Sequence, residues 1–501
     1  MIKHKLLLTL SGLTLGVTLF AQKNDRPNII WLMAEDMGQD LECYDMKAVK
    51  TPVLNQLAKE GILYTNACCS NPISSPSRSA MMTGIHQTMI NAHNHRSNRD
   101  IPLPEEVKPI TYYLREAGYT CVLGNHNLGK IPSLGKGRKT DCNFKHDPIG
   151  EYDGLTKFGL FDKYDVFTKE DQPFFAQIQL NVTHRGDWWK TVRAQSNHPV
   201  DPKAVDLPPY MPDHPKIREE WATYLDQIEY MDNEVGLILK ELEEKRMIDN
   251  TIIFFIADNG RCDIRGKGYL YEPGTKIPMI AWGKGIKPGV INEIVSTLDI
   301  TASILDIAGV KKPDNIMGKS LFQKGKRPAY FYAARDNWDE VIECIRSVST
   351  TQYTYIKNYM PERPWDQHQI YLDFHRPAIH VMRTLKAEGK LDANTSLFME
   401  DHKPAEELYD ITKDPFELNN LSMNPEYASV MKKIRKMMSD WQASHRDCGL
   451  EDMQTRNPAA EESLRDWVIK NDPQEWEKLL QGEIGDKHGF WIKEMNKSSI
   501  Q

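Results

Sequence analysis

Apolar residues fall in short dense runs separated by stretches of helical periodicity. Residues 27–34 (PNIIWLMA) form one such run and end on two acids, Glu35 and Asp36. An unbroken apolar run of this length reads as a strand buried on both faces. Residues 173–180 (PFFAQIQL) and 251–257 (TIIFFIA) read the same way, and the latter leads into Asp258-Asn259-Gly260. Residues 52–61 and 109–118 carry apolar residues at helical spacing, each opened by Pro and closed by Gly. Residues 218–246 predict a long amphipathic helix, with Tyr224, Ile228, Met231, Val235, Ile238 and Leu242 near one face. Strands alternating with helices predict an α/β fold, a mostly parallel sheet sandwiched by helices. Such sheets place ligands beyond the C-terminal ends of their strands. Glu35-Asp36 and Asp258-Asn259 both fall there.

After about residue 345 the pattern changes. Residues 347–359 (SVSTTQYTYIKNY) are polar, aromatic and β-rich, as in an antiparallel sheet. A helix is expected over about 425–441. The expected division is a leader at 1–21, a catalytic domain over 22–345, and a smaller C-terminal α+β domain with a polar tail over 346–501. There is no internal repeat and no low-complexity run.

Composition changes this picture only at the edges. The 501 residues are 40% hydrophobic and 27% charged, ordinary for a soluble globular protein. The net charge of -7 gives no reason to expect nucleic acid, whose binders carry a basic surplus. A local basic pocket can still take an anionic substrate. Lys3, His4 and Lys5 precede an apolar stretch over 6–20, and Ala21 precedes a polar run. That stretch is shorter than the ~20 residues a membrane span requires, so it reads as a cleaved secretory signal, with export to the periplasm or medium and no membrane span. The eight cysteines include no CxxC pair, which argues against a zinc site.

The decisive stretch is Ser74-Ser75-Pro76-Ser77-Arg78, followed by Thr83-Gly84. It resembles the motif of the sulfatase family, Cys or Ser, any residue, then Pro-Ser-Arg, with Thr-Gly shortly after. The resemblance implies an alkaline-phosphatase-like fold and a nucleophile, formylglycine, made by oxidising Ser74. An unmodified Ser would be left as a stable sulfate ester. A hydrated aldehyde has two hydroxyls, one to attack sulfur and one to collapse the adduct. A Ser-type motif further implies a bacterial Ser-type radical-SAM maturase as partner. The motif is expected to open a helix, whose N-terminus favours an anion.

The same resemblance assigns the other candidates. Glu35, Asp36, Asp258 and Asn259, with the residue at 74, match the family's calcium ligands, and hard oxygens suit that ion. Relatives mostly carry Asp where this chain has Glu35. Alone, Asp-Asn-Gly would read as a turn; two such pairs at strand ends, on either side of the nucleophile motif in the family's order, read as a metal site. Arg78 is expected to steady the nucleophile and the metal ligands. Lys267, nine residues past Asp258, matches a sulfate-binding position. His184, after Asn181-Val182-Thr183, matches a sulfate-contacting His, with Thr183 where the family has Pro. The family's Gly-Lys-x-His segment is altered. Gly124-Asn125-His126-Asn127 aligns without gaps, whereas Lys139-Thr140-Asp141-Cys142-Asn143 resembles a form seen in some relatives. The reading favours Lys139 as the basic residue and keeps His126 as a candidate acid or substrate contact. His86, His93 and His95 could line a sugar site or an ordinary polar loop.

The likeness runs from Arg26 to about Leu421 and is nearest to the heparan N-sulfatase group, on the loop from Asp258 to Thr275 and on residues 205–236. The expected substrate is a sulfated saccharide, with N-sulfated glucosamine of heparin or heparan sulfate as the specific candidate. The alternatives are an O-sulfatase on another glycan, a phosphoesterase of the same superfamily, and a catalytically silent glycan-binding protein.

Overall fold

The apolar runs become the centre of one sheet. The structure, a computed structural model, describes residues 26–126, 139–186, 189–325, 327–339, 341–367, 369–455 and 464–480. The expected leader lies outside them. In chain order the strands are β1 (Asn28–Ala34), β2 (Ile62–Cys68), β3 (Thr120–Gly124), β4 (Asp147–Ile149), β5 (Gly159–Phe161), β6 (Lys163–Asp165), β7 (Phe174–Leu180), β8 (Thr251–Ala257), β9 (Met279–Gly283) and β10 (Gly289–Ser296). The main sheet has the order β10-β2-β9-β8-β1-β7-β3-β6, and β4 pairs with β5 apart from it. All of its pairings are parallel except those of β9 with β2 and β8. Every residue of β1, β7 and β8 is buried, as their continuous apolar character requires.

Register sets up the site. Ala34 of β1 lies beside Leu180 of β7 on one side and Ala257 of β8 on the other. Three neighbouring strands therefore end level, and the residues that follow them meet. Helices α1 (Pro52–Glu60), α2 (Ser74–Thr83), α3 (Ile110–Glu116), α4 (Trp189–Gln195) and α5 (Pro215–Glu244) cover the sheet with the helix Thr297–Ile307. α1 packs on α5, while α2, α3 and Thr297–Ile307 pack together.

A second, antiparallel sheet follows: β11 (Phe331–Arg335), β12 (Ile345–Ser349), β13 (Tyr353–Asn358) and β14 (Glu406–Asp410), in that order. Its first strand precedes the expected boundary at 345/346, which falls just inside β12, after Ile345. The helix expected over 425–441 is observed at Ala428–Ser444. One core cluster runs from β1 to Tyr409 of β14 and joins the two sheets. The eight cysteines are free thiols, all buried except Cys43, which is partly so.

α1 is capped from outside itself. Thr51 makes no side-chain cap bond. Instead the Asp232 carboxylate, on α5, accepts from Val53 N at 3.1 Å and from Leu54 N at 2.8 Å. Asp232→Ala removes both acceptors and leaves those amides unsatisfied. A loss of roughly 1–2 kcal/mol is expected, read as a lower denaturant midpoint at unchanged slope.

Candidate active site

The three level strand ends supply the acids. Glu35 and Asp36 follow β1, Asp258 and Asn259 follow β8, and the turn Asn181–Thr183 after β7 delivers His184. Asp36 N donates to Asp258 Oδ1 at 3.2 Å, and Asn259 Nδ2 donates to Asp36 Oδ1 at 3.1 Å. Asp36 has φ 50°, the left-handed region, which turns the chain back at the strand end. Asp36, Asp258 and Asn259 are fully buried and Glu35 nearly so.

Ser74 opens α2 as expected, and all ten residues of that helix are buried. Ser74 Oγ donates to Asn259 Oδ1 at 3.1 Å. Arg78, one turn on, donates from Nε to Asp258 Oδ2 at 2.8 Å and from Nη1 to Gln179 Oε1 at 2.7 Å. Its Nη2 lies 3.9 Å from Glu35 Oε1 and makes no hydrogen bond among the described residues. Ser77 Oγ donates to Asp258 O at 2.6 Å. The helix that carries Ser74 is thus pinned directly to the end of β8.

Two lysines face the same acids. Lys267 Nζ lies 2.7 and 2.8 Å from the two oxygens of Asp36. Lys139 Nζ donates to Glu35 Oε2 and sits 3.6 Å from Asp141 Oδ2. His184 Nε2 is 3.8 Å from Glu35 Oε2 and 3.9 Å from Asp36 Oδ2. Burial raises the Glu35 carboxyl above its usual value, against the pull of Lys139 and Arg78. Burial acts likewise on Asp36, but Lys267, His184 and Lys139 outweigh it and hold that carboxyl low. Burial opposes the charge on Lys267, yet Asp36 more than compensates and keeps it an ammonium. His184 is held well below its usual value, by burial first and by the two lysines after it, so its imidazole is neutral at pH 7.

The donor set fits a hard cation by its chemistry: three carboxylates and a carboxamide, buried and in mutual contact around Asp36. Among the described residues no group of three or more His, Cys, Asp or Glu is placed to hold a metal by itself. Here Lys267, Lys139 and Arg78 meet the charge of the carboxylates.

Ser74, Arg78, Lys139, His184, Lys267, Glu35, Asp36, Asp258 and Asn259 are therefore brought together. His126 is not among them. Its Nδ1 lies 2.7 Å from Glu241 Oε2 and its ring packs on Phe167 at 4.5 Å. Asn125, the gap-free alternative to Lys139, accepts from Tyr164 OH beside β6; residues 127–129 lie outside the described residues. His86 packs against Tyr332 and Trp441, and His93 pairs with Asp452.

Sequence reasoning missed several neighbours. Gln179 holds Arg78, and Gln177 Nε2 donates to Lys139 O at 3.2 Å. Two amides at alternate positions of a buried strand were the available signal. Tyr371 had none. The Tyr371 hydroxyl lies 3.3 Å from His184 Nε2, and Lys267 Nζ lies 5.1 Å from the Tyr371 ring and 5.8 Å from that of Trp338.

Comparison with known proteins gives the same direction. A family model described as Sulfatase matches residues 27–310, and one described as N-sulphoglucosamine sulphohydrolase, C-terminal, matches residues 260–376. An ulvan-active sulfatase of Formosa agariphila is 32% identical, over 83% of this chain and 75% of its own. The N-sulphoglucosamine sulphohydrolase of Homo sapiens is 25% identical, over 83% of this chain and 89% of its own. The solved structure of a 2-O GAG sulfatase superposes with a TM-score of 0.59 at 19% identity, over 86% of this chain and 94% of that one, a likeness of fold.

Proposed function

We propose, for a chain that belongs to the sulfatase family, that its nucleophile is a formylglycine made from Ser74, its metal calcium and its substrate a sulfated saccharide. It is a hydrolase that releases sulfate. The observation that carries the proposal is Ser74 Oγ on Asn259 at the head of a buried helix, with carboxylates on one side and Lys139, Lys267 and Arg78 around them.

The residues divide the work by charge. The N-terminus of α2 and the ammonium groups of Lys139 and Lys267 favour an anionic sulfate group over water. Arg78 holds Asp258 and, through the turn of helix between them, fixes where the side chain at 74 points. The neutral imidazole of His184 can donate a hydrogen bond to a sulfate oxygen, and the Tyr371 hydroxyl fixes its ring. Glu35, Asp36, Asp258 and Asn259 would hold calcium, which when bound supplies a positive charge to polarise the nucleophile and a sulfate oxygen. The hydrated aldehyde supplies the two hydroxyls that unmodified Ser74 lacks.

Glucosamine N-sulfate is the specific substrate reading, supported by the C-terminal family model over residues 260–376. Ulvan oligosaccharides are the competing one, supported by the relative from Formosa agariphila. The test is sulfate release by protein co-expressed with a Ser-type maturase, on N-sulfated glucosamine, O-sulfated glucosamine and ulvan oligosaccharides, with phosphate monoesters alongside. Sulfate release from a saccharide, lost on chelation and restored by calcium, is the expected result. Turnover of the phosphate esters alone would overturn the proposal.

A further inference from the structure

Beside the nucleophile lies a basic group that the sulfate chemistry does not use. The loop over 91–99 crosses the head of α2, where Arg96 N donates to Ser75 Oγ at 3.4 Å. From there Arg96 turns its guanidinium onto Asp141, Nε to Oδ1 at 3.0 Å and Nη2 to Oδ2 at 3.1 Å. Arg99 donates from Nη2 to the same Oδ1. Asp141 is also the carboxylate 3.6 Å from Lys139, which in turn is bonded to Glu35. A continuous chain of contacts thus links the two arginines to the acids around Ser74.

Two guanidinium groups converge here on one bonded carboxylate, with Asp339 the further acid that faces both. Asp141 is a single buried carboxylate shared by two guanidinium groups. The arginine side chains remain 45% and 44% exposed. Arg96 Nη1, and Nε and Nη1 of Arg99, carry no hydrogen bond among the described residues. Arginine presents such donors as a planar fork that matches carboxylate and sulfate oxygens.

The frame is also rigid. His95 N donates to Asn337 O, Asn337 N to Asn94 Oδ1, Asn98 N to Asn143 Oδ1 and Asn143 Nδ2 to Asn94 O. Arg96 and Asp141 both sit in the left-handed region, at φ 53° and 50°. Neither is glycine, and such backbone persists only where its surroundings enforce it. The adjacent His95 side chain is only 6% exposed, with Nε2 4.0 Å from Asp339 Oδ1 and a buried Nδ1 that has no hydrogen-bond partner among the described residues. A cation pair held this firmly is preorganised for a ligand.

We propose that Arg96 and Arg99 form a second anion subsite, which takes a carboxylate or a further sulfate on the same saccharide as the sulfate being removed. This rests on the sulfatase reading above and deepens it: the enzyme selects a saccharide with two acidic groups over one with a single sulfate. The uncommitted donors of the arginines hold the second group, and Asp141 orients them.

The test is calorimetric binding to the full-length Ser74→Ala protein, which retains the saccharide. Four probes are compared in two pairs: a sulfated uronate-containing disaccharide with its carboxyl-reduced form, and a disulfated glucosamine with its monosulfated counterpart. The doubly anionic member of a pair should bind at least ~10-fold tighter, as expected for a charge-assisted bidentate contact. Loss through carboxyl reduction identifies the carboxylate, and loss through removal of the second sulfate identifies the sulfate. Arg99→Gln, at an exposed side chain, and Arg96→Gln should each shrink that preference, and the paired variant should abolish it. Equal affinity within both pairs would overturn the proposal. So would variants that weaken both members of a pair by the same factor, since that is the mark of a structural role. A preference for the doubly anionic probe, with no sulfate released by the matured enzyme, would sustain the subsite and sink the catalytic reading.

Discussion

Ser74→Ala is expected to lower sulfate release by at least ~10⁴-fold, a loss of about 5 kcal/mol of transition-state stabilisation. The side chain at 74 is the nucleophile in this account, and nothing near it can replace it. Ser75 Oγ accepts from the Arg96 amide, while the hydroxyls of Ser77 and Ser79 donate to backbone carbonyls. The fold should be indifferent to the change. The hydroxyl removed makes one bond, to Asn259, whose Oδ1 remains beside the charged cluster. Ser74→Ala should therefore unfold at the parent's denaturant midpoint, within error, while its turnover disappears. Residual activity above about a tenth of the parent's would place the nucleophile elsewhere.

The second large effect concerns stability. Arg346, on β12, is fully buried. Its Nε and Nη2 donate to the two oxygens of Asp447 at 2.8 and 2.6 Å, and Nη1 lies 3.0 Å from Asp336 Oδ1. Asp447 also accepts from Tyr332 OH at 3.0 Å. The segment after the helix Ala428–Ser444 is thereby held against the second sheet. Burial alone would push the Asp447 carboxyl up, but Arg346 outweighs it and holds it below its usual value. Arg346→Ala leaves two buried carboxylates without their counter-ion, and a loss of about 3–5 kcal/mol is expected. Arg346→Met should be nearly as costly, because it restores volume and not charge. Adding Asp447→Asn to Arg346→Met should recover part of the loss, and that coupling in a double-mutant cycle is the diagnostic. Simple additivity of the two changes would mean that the pair acts independently.

Much of the site could be read along the chain because its parts are local. Glu35-Asp36, Ser74 to Arg78, Asp258-Asn259 and Lys267 are short segments, and each is placed by the end of a buried strand or the start of a helix. Their apolar flanks fix the strands, and parallel pairing brings the strand ends level. Lys139 was legible as a motif, and the structure sets it on Glu35. What was not legible depends on pairing over long distances. β11 looks like the end of the first domain, yet its partner is β12, with Phe331 opposite Ser349 and Arg335 opposite Ile345. Tyr371 reaches His184 across 187 positions, and no periodicity records that contact. His126 lies two residues past β3, as a site residue would, but the chain leads its ring to Phe167 and Glu241. The pattern gives the strand's end and not the direction taken after it.

The central claim is the chemistry at position 74, and the mass of the peptide that contains it tests that claim most directly. Protein co-expressed with a Ser-type maturase is digested, and the peptide's mass is compared with that of unmatured protein. The account predicts a residue two hydrogens lighter than serine, trapped by an aldehyde reagent, in a fraction that tracks sulfate release across preparations. Full sulfate release from protein whose Ser74 is intact would contradict it.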